Sequence, residues 1–215
     1  MNTQIIRFIF NQLKPIQNVK ISKNLNHCRI LAVIVFWAVG IYNNMVKLDE
    51  ETQQAWAQVE NAYQRRADLI PNLVKTVQGA AEYEKGTLEG VIEARSKATS
   101  VQVDPTNLTQ ENIAAFQQAQ DQLSSALSRL MVVVERYPEL KANQNFLELQ
   151  AQLEGTENRI AVERKKFNEV VQQYNTAIRR FPNNIFAGMF GFDKKGYFQA
   201  KEGADVAPDV EFNFD

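Results

Sequence analysis

Apolar residues recur at spacings of three and four along most of residues 41–181, and this period restricts the fold more than any other feature of the sequence. Such spacing gathers apolar side chains on one face of an α-helix, and that face must be buried against another helix. Gly and Pro are sparse there, whereas Ala, Gln, Glu, Leu and Lys, which favour helices, are abundant. The residues of these stripes are Ile41, Met45, Leu48, Ala55, Val59, Ala62, Leu73, Val77, Ala80, Leu88, Val91, Phe116, Leu123, Leu127, Leu130, Val134, Tyr137, Phe146, Leu149, Leu153, Ile160, Phe167, Tyr174 and Phe181. The sequence therefore predicts an all-α protein.

Two breaks between the helices carry clear local signals. The stretch VDPTNLTQE contains Pro105 and offers Thr109 as the N-cap of the helix that follows. The stretch RYPELKANQ is interrupted by Pro138. Each signal predicts the end of one helix and the start of the next.

A third break is predicted within QRRADLIPNLV. Pro71 in the middle of a helix would cost about 3 kcal/mol, because it removes a hydrogen bond and its ring meets a carbonyl group. If Asp68 is an N-cap, Pro71 instead lies in the first turn, where its missing N–H has no helical partner. Arg65 and Arg66 would then end the preceding helix, on the favourable side of its dipole. This favours a tight turn near residues 66–69; the alternative is one continuous, kinked helix.

With that turn, the body has four helices, near residues 43–66, 69–99, 110–136 and 141–181. Short connections make consecutive helices antiparallel. The predicted architecture is an antiparallel up-and-down four-helix bundle over residues 43–182.

An apolar run, ILAVIVFWAVGIY at residues 30–42, precedes this body. Its 13 residues span about 20 Å as a helix, short of a hydrocarbon core of about 30 Å. Extension through Val46 makes residues 30–46 a predicted transmembrane or signal-anchor segment. The main alternative is a cleaved signal peptide, since Ala38, Val39 and Gly40 form a small-x-small site.

The leader, residues 1–29, is basic. Residues 1–48 contain no Asp or Glu and six basic residues: Arg7, Lys14, Lys20, Lys23, Arg29 and Lys47. Positive charge before an apolar segment predicts a cytoplasmic N-terminus, an exported body and a location in the bacterial inner membrane. The rest of the chain is acidic, which argues against nucleic-acid binding.

Residue usage excludes most catalytic chemistry from the body. His27 and Cys28 are the only histidine and the only cysteine, and both precede the apolar run. Most kinds of zinc site, and every Ser/His/Asp or Cys/His arrangement, are therefore excluded from the body. Glu89 and Glu93 share a helix face, but a solvated surface explains them better than a metal site. We predict no enzyme, no metal and no cofactor.

The paired arginines form the first candidate site. Arg65, Arg66, Asp68 and Pro71 are predicted to lie at a helix reversal, where they would contact an acidic protein partner.

The second candidate site lies in the C-terminal tail, residues 183–215. Phe186, Met189, Phe190 and Phe192 crowd together in NNIFAGMFGF. They are candidates for docking at the membrane interface. The alternative is a strap that packs its aromatic side chains on the end of the bundle.

Four long segments carry a family resemblance: QRRADLIPNLV, AAEYEKGTLEGVIEARSKAT, LSSALSRLMVVVERYPELKANQNFLELQAQLEGTENRIAVERKKFN and FPNNIFAGMFGF. In this order, from about Gly40 to the C-terminus, they closely resemble the LemA family of bacterial proteins. The resemblance implies one N-terminal transmembrane segment, an antiparallel helical bundle and association with bacterial membranes. It also implies that no enzymatic activity is established, and that one branch is linked to magnetosome organelles.

Together these features predict a non-enzymatic, membrane-anchored protein of the bacterial cell envelope. It would act as a scaffold or interaction module with an unknown protein partner, and homo-oligomerisation is left open. The alternative function is a lipid- or small-ligand-binding sensor. That alternative would use the polar residues Glu154 to Arg159, which interrupt the last apolar stripe; a mutually satisfied polar layer that fixes helix register is the simpler interpretation of them.

Overall fold

The computed structural model describes residues 3–79 and 84–200, with side chains from residue 27 onward. Six helices occur in this part: α1 (Thr3–Gln78), α2 (Lys85–Ser100), α3 (Gln110–Val134), α4 (Pro138–Lys141), α5 (Gln144–Arg179) and α6 (Asn183–Phe190). No strand occurs among the described residues, so the all-α prediction is confirmed. The chain divides into two compact units, residues 1–47 and residues 48–215; the second is called the body below.

The predicted turn at residues 66–69 is wrong, because α1 continues through it to Gln78. Asp68 is not a cap; its carboxylate accepts a hydrogen bond of 2.8 Å from Gln64 Nε2, one turn earlier in the same helix. The first helix of the body therefore ends near residue 78, and α2 begins at Lys85. Residues 80–83, between these points, lie outside the described residues.

A side chain from another helix compensates for Pro71 within α1. Proline has no N–H, so the carbonyl of Ala67, four residues earlier, loses its helical partner. The side chain of Arg95, on α2, replaces that partner, because its Nε donates to the Ala67 oxygen at 2.8 Å. The group that proline would leave unsatisfied is therefore bonded through tertiary structure.

The other two breaks lie where the local signals predict them. Thr109 caps α3, since its side chain accepts a hydrogen bond of 3.2 Å from Asn112 N. Pro138 is the first residue of the short α4. Asn143 caps α5 by accepting from Phe146 N at 3.2 Å.

The first unit contains the part of α1 that is long and apolar enough to cross a membrane, the one candidate span among the described residues. Its most apolar window has a mean hydropathy of 1.6 and is only 6% buried. Large apolar side chains there face outward, including Phe36 at 83% exposed and Val33 at 68%. The side chains of the basic leader up to residue 26 lie outside the described residues.

Two hydrophobic clusters form the core of the body. The leucine cluster contains Ile70, Leu73, Val77, Leu88, Val91, Leu123, Leu130, Leu140, Phe146 and Leu153. The aromatic cluster contains Trp56, Val59, Tyr63, Val103, Leu108, Ile113, Phe116, Ile160, Phe167, Val171 and Phe198. Each cluster draws side chains from α1, α3 and α5 and is closed by neighbouring segments.

Trp56 is the centre of the aromatic cluster and is fully buried. Its ring centroid lies 5.1 Å from Phe116 and 5.5 Å from Phe167 in edge-to-face contacts, and 5.8 Å from Phe198 in a stacked contact. Phe198 lies beyond α6, so a C-terminal segment completes the core.

Candidate functional site

A polar layer separates the two hydrophobic clusters, and Arg66 of α1 is its centre. The Arg66 side chain is 3% exposed, whereas that of its ion-pair partner Glu157, on α5, is 59% exposed. Arg66 Nη1 donates to Glu157 Oε2 at 2.9 Å and to Ser124 Oγ, on α3, at 2.8 Å. Desolvation of the guanidinium is thus offset by directed hydrogen bonds and an opposite charge.

Gln120 completes the layer. Arg66 Nη2 donates to the Gln120 side-chain oxygen at 2.9 Å and to its backbone oxygen at 3.3 Å. Gln120 Nε2 in turn donates to the carbonyl of Ala98 at 3.1 Å. The guanidinium also lies 5.1 Å from the ring centroid of Tyr63. The layer therefore links α1, α2, α3 and α5 at one level of the body.

A cavity of about 380 Å³ opens beside this layer, with Glu60, Tyr63, Ala67 and Gln120 among its lining residues. Burial raises the pKa of Glu60 above its usual range. The side-chain amide of Gln120 is already bonded to Arg66 and Ala98. Apart from Arg66 Nε, which is buried without a hydrogen-bond partner, these polar groups of the layer bond one another, as is expected of a layer that fixes helix register.

A second site lies between α3 and α5, where the strap (residues 193–199) is held by side-chain amides. On α5, Asn175 donates to the carbonyl of Lys195 at 2.8 Å and accepts from its N–H at 2.9 Å. Asn168 makes the same pair of bonds to the backbone of Phe198, at 2.9 and 3.0 Å. Each amide binds both main-chain polar groups of one residue.

The amides of α3 repeat this arrangement from the other side. Gln110 donates to the carbonyl of Tyr197 at 3.0 Å and accepts from its N–H at 2.9 Å. Gln117 binds Gln199 in the same way, at 3.0 and 3.1 Å. Four of the five residues 195–199, all but Gly196, therefore have their main chain bonded by side chains of two helices.

Gly196 is the point of closest approach between the strap and α3. Its N–H donates to the carbonyl of Leu108 at 2.9 Å. A Cβ at this position would lie 2.5 Å from Gln110 Cα and 2.7 Å from Gln110 N. These are backbone atoms that cannot rotate away, so only glycine fits.

The residues on either side of Gly196 are anchored through their side chains. Lys195, 5% exposed, places Nζ 2.9 Å from Asp49 Oδ1 and 5.2 Å from the ring centroid of Tyr174. Phe198, also 5% exposed, inserts into the aromatic cluster, and the guanidinium of Arg164 lies 4.7 Å from its ring centroid. A buried cation and a buried ring thus hold the strap in one register.

A family model described as the LemA family matches residues 55–212, most of the body. The chain belongs to the LemA family. Among its relatives, Magnetosome protein MamQ 2 of Paramagnetospirillum magneticum is 29% identical over 196 residues, covering 82% of this chain and 72% of that protein. Magnetosome protein MamQ of Magnetospirillum gryphiswaldense is 28% identical with the same coverage. Protein LemA of Metamycoplasma hominis is 24% identical over 172 residues, covering 80% of this chain and 75% of that protein.

In this LemA family member, the four residues of the first predicted site have different surroundings. Arg65 and Asp68 are exposed, Pro71 is half-buried, and Arg66 is buried in the polar layer. All four lie within α1 and not at a helix reversal. The structure therefore leaves Arg65 and Asp68 as the members with accessible charge.

The second predicted site falls on α6 and the residues after it. Met189 is 71% exposed and Phe190 54% exposed, whereas Phe186 and Phe192 are half-buried. Ile185, 52% exposed, adds to this apolar surface. Residues 201–215 of the predicted tail lie outside the described residues.

Glu89 and Glu93 lie on the exposed surface of α2 and pair with lysines. Lys97 Nζ lies 2.8 Å from Glu93 Oε1, and its hydrogen bond lowers the pKa of that carboxyl group. Lys85 Nζ lies 3.8 Å from Glu89. Within the described part of the chain, no group of three or more His, Cys, Asp or Glu could hold a metal ion.

The sequence reasoning missed the amides that bind the strap. A signal for them exists: Gln110 and Gln117 are seven residues apart on one helix, and Asn168 and Asn175 are seven apart on another. Residues at that spacing share a helix face. Nothing in the local sequence tells which segment such a face would meet.

Proposed function

We propose that this chain is a non-enzymatic, single-pass membrane protein of the bacterial cell envelope, whose body serves as a scaffold or protein-interaction module. The observation that carries the proposal is the outward-facing apolar run of α1, with Phe36, Val33 and Leu31 all more than half exposed. Each Å² of apolar surface left in water is unfavourable by about 25 cal/mol, and a hydrocarbon surrounding removes that term. Membership of a family with relatives named magnetosome proteins supports a membrane location.

The orientation follows from the charge of the leader. Its basic residues and its lack of Asp and Glu favour a cytoplasmic N-terminus in the inner membrane, with the body outside the cytoplasm.

For the body, we propose the antiparallel up-and-down bundle, with α1, α2, α3 and α5 as its four helices. The order in which the helices enter the two clusters supports it. In α1 and α3 the residues of the aromatic cluster precede those of the leucine cluster, whereas α5 has the opposite order. Residues of α2 join the leucine cluster, and Val103, just after α2, joins the aromatic cluster.

The anchor is tested by washing membranes from cells that express the full chain with sodium carbonate. The wild-type chain is expected to stay in the membrane pellet. Val35→Lys with Phe36→Lys is expected to move it toward the soluble fraction, because each lysine at the centre of a span is unfavourable by about 2.5 to 3.5 kcal/mol. Val132→Lys, at an exposed position of α3, is the control and should not change retention. Carbonate extraction of the wild-type chain would contradict the proposal.

We also propose that Phe186, Met189, Phe190 and Phe192 dock at the bilayer interface. A fluorophore on Met189→Cys, in a Cys28→Ser background reconstituted into nanodiscs, is expected to be quenched by brominated lipids. The same fluorophore on Val132→Cys is the control and should not be quenched. Equal quenching at the two positions would refute the docking.

A further inference from the structure

The strap is bound in the way that a receptor binds an extended peptide. Asn175, Gln110, Asn168 and Gln117 each bond both the N–H and the C=O of one strap residue. Main-chain hydrogen bonds of this kind hold a peptide whatever its sequence, while pockets for individual side chains add selectivity. The groove between α3 and α5 therefore has both parts of a peptide-binding site.

The spacing of the two amides on α5 matches the repeat of an extended chain. Asn168 and Asn175 are seven residues apart, which is about 10.5 Å along a helix. Their strap partners Phe198 and Lys195 are three residues apart, which is about 10 Å in an extended chain. The numbering of the bonded strap residues falls along α5 and rises along α3, so both helices follow one continuous segment.

Three positions of the strap select its sequence. A residue larger than glycine at Gly196 would collide with the backbone of Gln110. Phe198 fills a position in the aromatic cluster, and Lys195 pairs with the carboxylate of Asp49. The groove thus selects Lys-Gly-x-Phe, where x is the half-buried Tyr197 in this chain, whose hydroxyl accepts a hydrogen bond of 3.2 Å from Asn175.

These contacts do not depend on the covalent link between the strap and α6. The partners of the strap lie on α1, α3, α5 and the segment just before α3, where Leu108 bonds Gly196. The chain leaves α6 through Gly191, a glycine at φ 74° in the left-handed region. The same segment supplied by another molecule would meet the same atoms, which is the condition for exchange of an element between copies.

We propose that the groove between α3 and α5 is a peptide-binding site, filled in cis by the chain's own strap and able to accept the strap of a second copy in trans. A second copy is the occupant because its strap preserves every contact described above. Anchoring would also confine copies to one membrane plane and raise their effective concentration. The inference rests on the proposed role as an interaction module and names the partner class of that module.

The test uses two full-length variants with complementary defects, co-reconstituted in liposomes and carrying different affinity tags. Gly196→Ala damages the strap and leaves the groove intact. Asn168→Ala with Asn175→Ala damages the groove and leaves the strap intact. In the mixture, the Gly196→Ala chain supplies an intact groove without a functional strap of its own. The Asn168→Ala/Asn175→Ala chain supplies an intact strap without a functional groove of its own. Neither variant alone contains both an intact groove and an intact strap.

The mixture is expected to co-purify at least about tenfold more than either variant with a tagged copy of itself, since the loss of paired amide bonds weakens association by that order. Co-purification of the mixture at the level of the single variants overturns the proposal. Membrane retention is measured in the same samples. If the variants stay in the membrane but do not associate in the mixture, only the inference about the groove fails. If the wild-type chain does not stay in the membrane, that result instead counts against the proposed function.

A second measurement guards against misfolding of a variant. Circular dichroism first checks that the Gly196→Ala chain keeps its native helicity. If helicity is lost, Lys195→Glu, which places a like charge opposite Asp49, is used in its place. A labelled peptide, DKKGYFQA, is then expected to bind that chain and to bind the groove-damaged variant at least about tenfold less. DKKAYFQA is the control peptide and should not bind. Equal binding of the two peptides, or no binding of either, overturns the proposal.

Discussion

At the scale of single residues, the fold separates two adjacent arginines that look equivalent in the sequence. Arg65 is exposed, whereas Arg66 lies in the polar layer and donates four hydrogen bonds to Ser124, Glu157 and Gln120. The sequence places them on adjacent positions of a helix, but the face each one occupies depends on where the helix meets its neighbours. The sequence prediction ends this helix just after the two arginines, so it does not predict that one of them is buried and the other exposed.

We expect Arg66→Gln to lower the free energy of unfolding by about 2 to 4 kcal/mol, because it removes buried, charge-assisted hydrogen bonds and leaves their acceptors unsatisfied. Arg65→Gln is the matched control and should change it by no more than about 0.5 kcal/mol, as is usual for a surface position. Thermal or denaturant unfolding of the full chain in detergent measures both. Equal effects of the two substitutions would contradict the role of the polar layer.

Arg65 also tests the interaction proposal. If an acidic partner binds this surface, Arg65→Gln should reduce cross-linking to that partner in native membranes while stability stays unchanged.

At the scale of helices, α1 shows why the free-energy cost of Pro71 led to a wrong prediction of where the first helix of the body ends. Proline in the middle of a helix does cost free energy, and aspartate is a good N-cap residue, so both local arguments for a break near Asp68 and Pro71 are correct in themselves. What the sequence could not show is Arg95 on α2, whose Nε bonds the carbonyl that Pro71 leaves free. A side chain 28 positions away in the chain thus bonds the carbonyl group that Pro71 leaves without a helical partner.

A double-mutant cycle tests this explanation. Arg95→Met is expected to cost about 1 to 2 kcal/mol of stability in the wild-type chain, because the buried carbonyl of Ala67 loses its donor. In a Pro71→Ala background the new N–H can bond that carbonyl, so the same substitution should cost distinctly less. Unfolding of the four variants gives the coupling free energy. Additive effects would show that the Arg95 side chain stabilises α2 for another reason.

At the scale of the whole molecule, the predictable features are those that local chemistry determines. The all-helical fold, the Thr109 cap and the break at Pro138 follow from periodicity, capping and proline sterics within a few residues. The polar layer and the strap depend on contacts between distant segments: Arg66 meets Glu157, and Gln117 meets Gln199. The C-terminal aromatic residue that completes the core is Phe198, which is not among the aromatic residues predicted as a candidate site, Phe186, Phe190 and Phe192.

The central claim is that α1 anchors the chain in the inner membrane and presents the body outside the cytoplasm. Cysteine labelling tests it most directly, with Ala115→Cys at an exposed position of α3 in a Cys28→Ser background. A membrane-impermeant maleimide added to cells with a permeabilised outer barrier and an intact inner membrane is expected to label residue 115. Labelling only after the inner membrane is permeabilised would contradict the account.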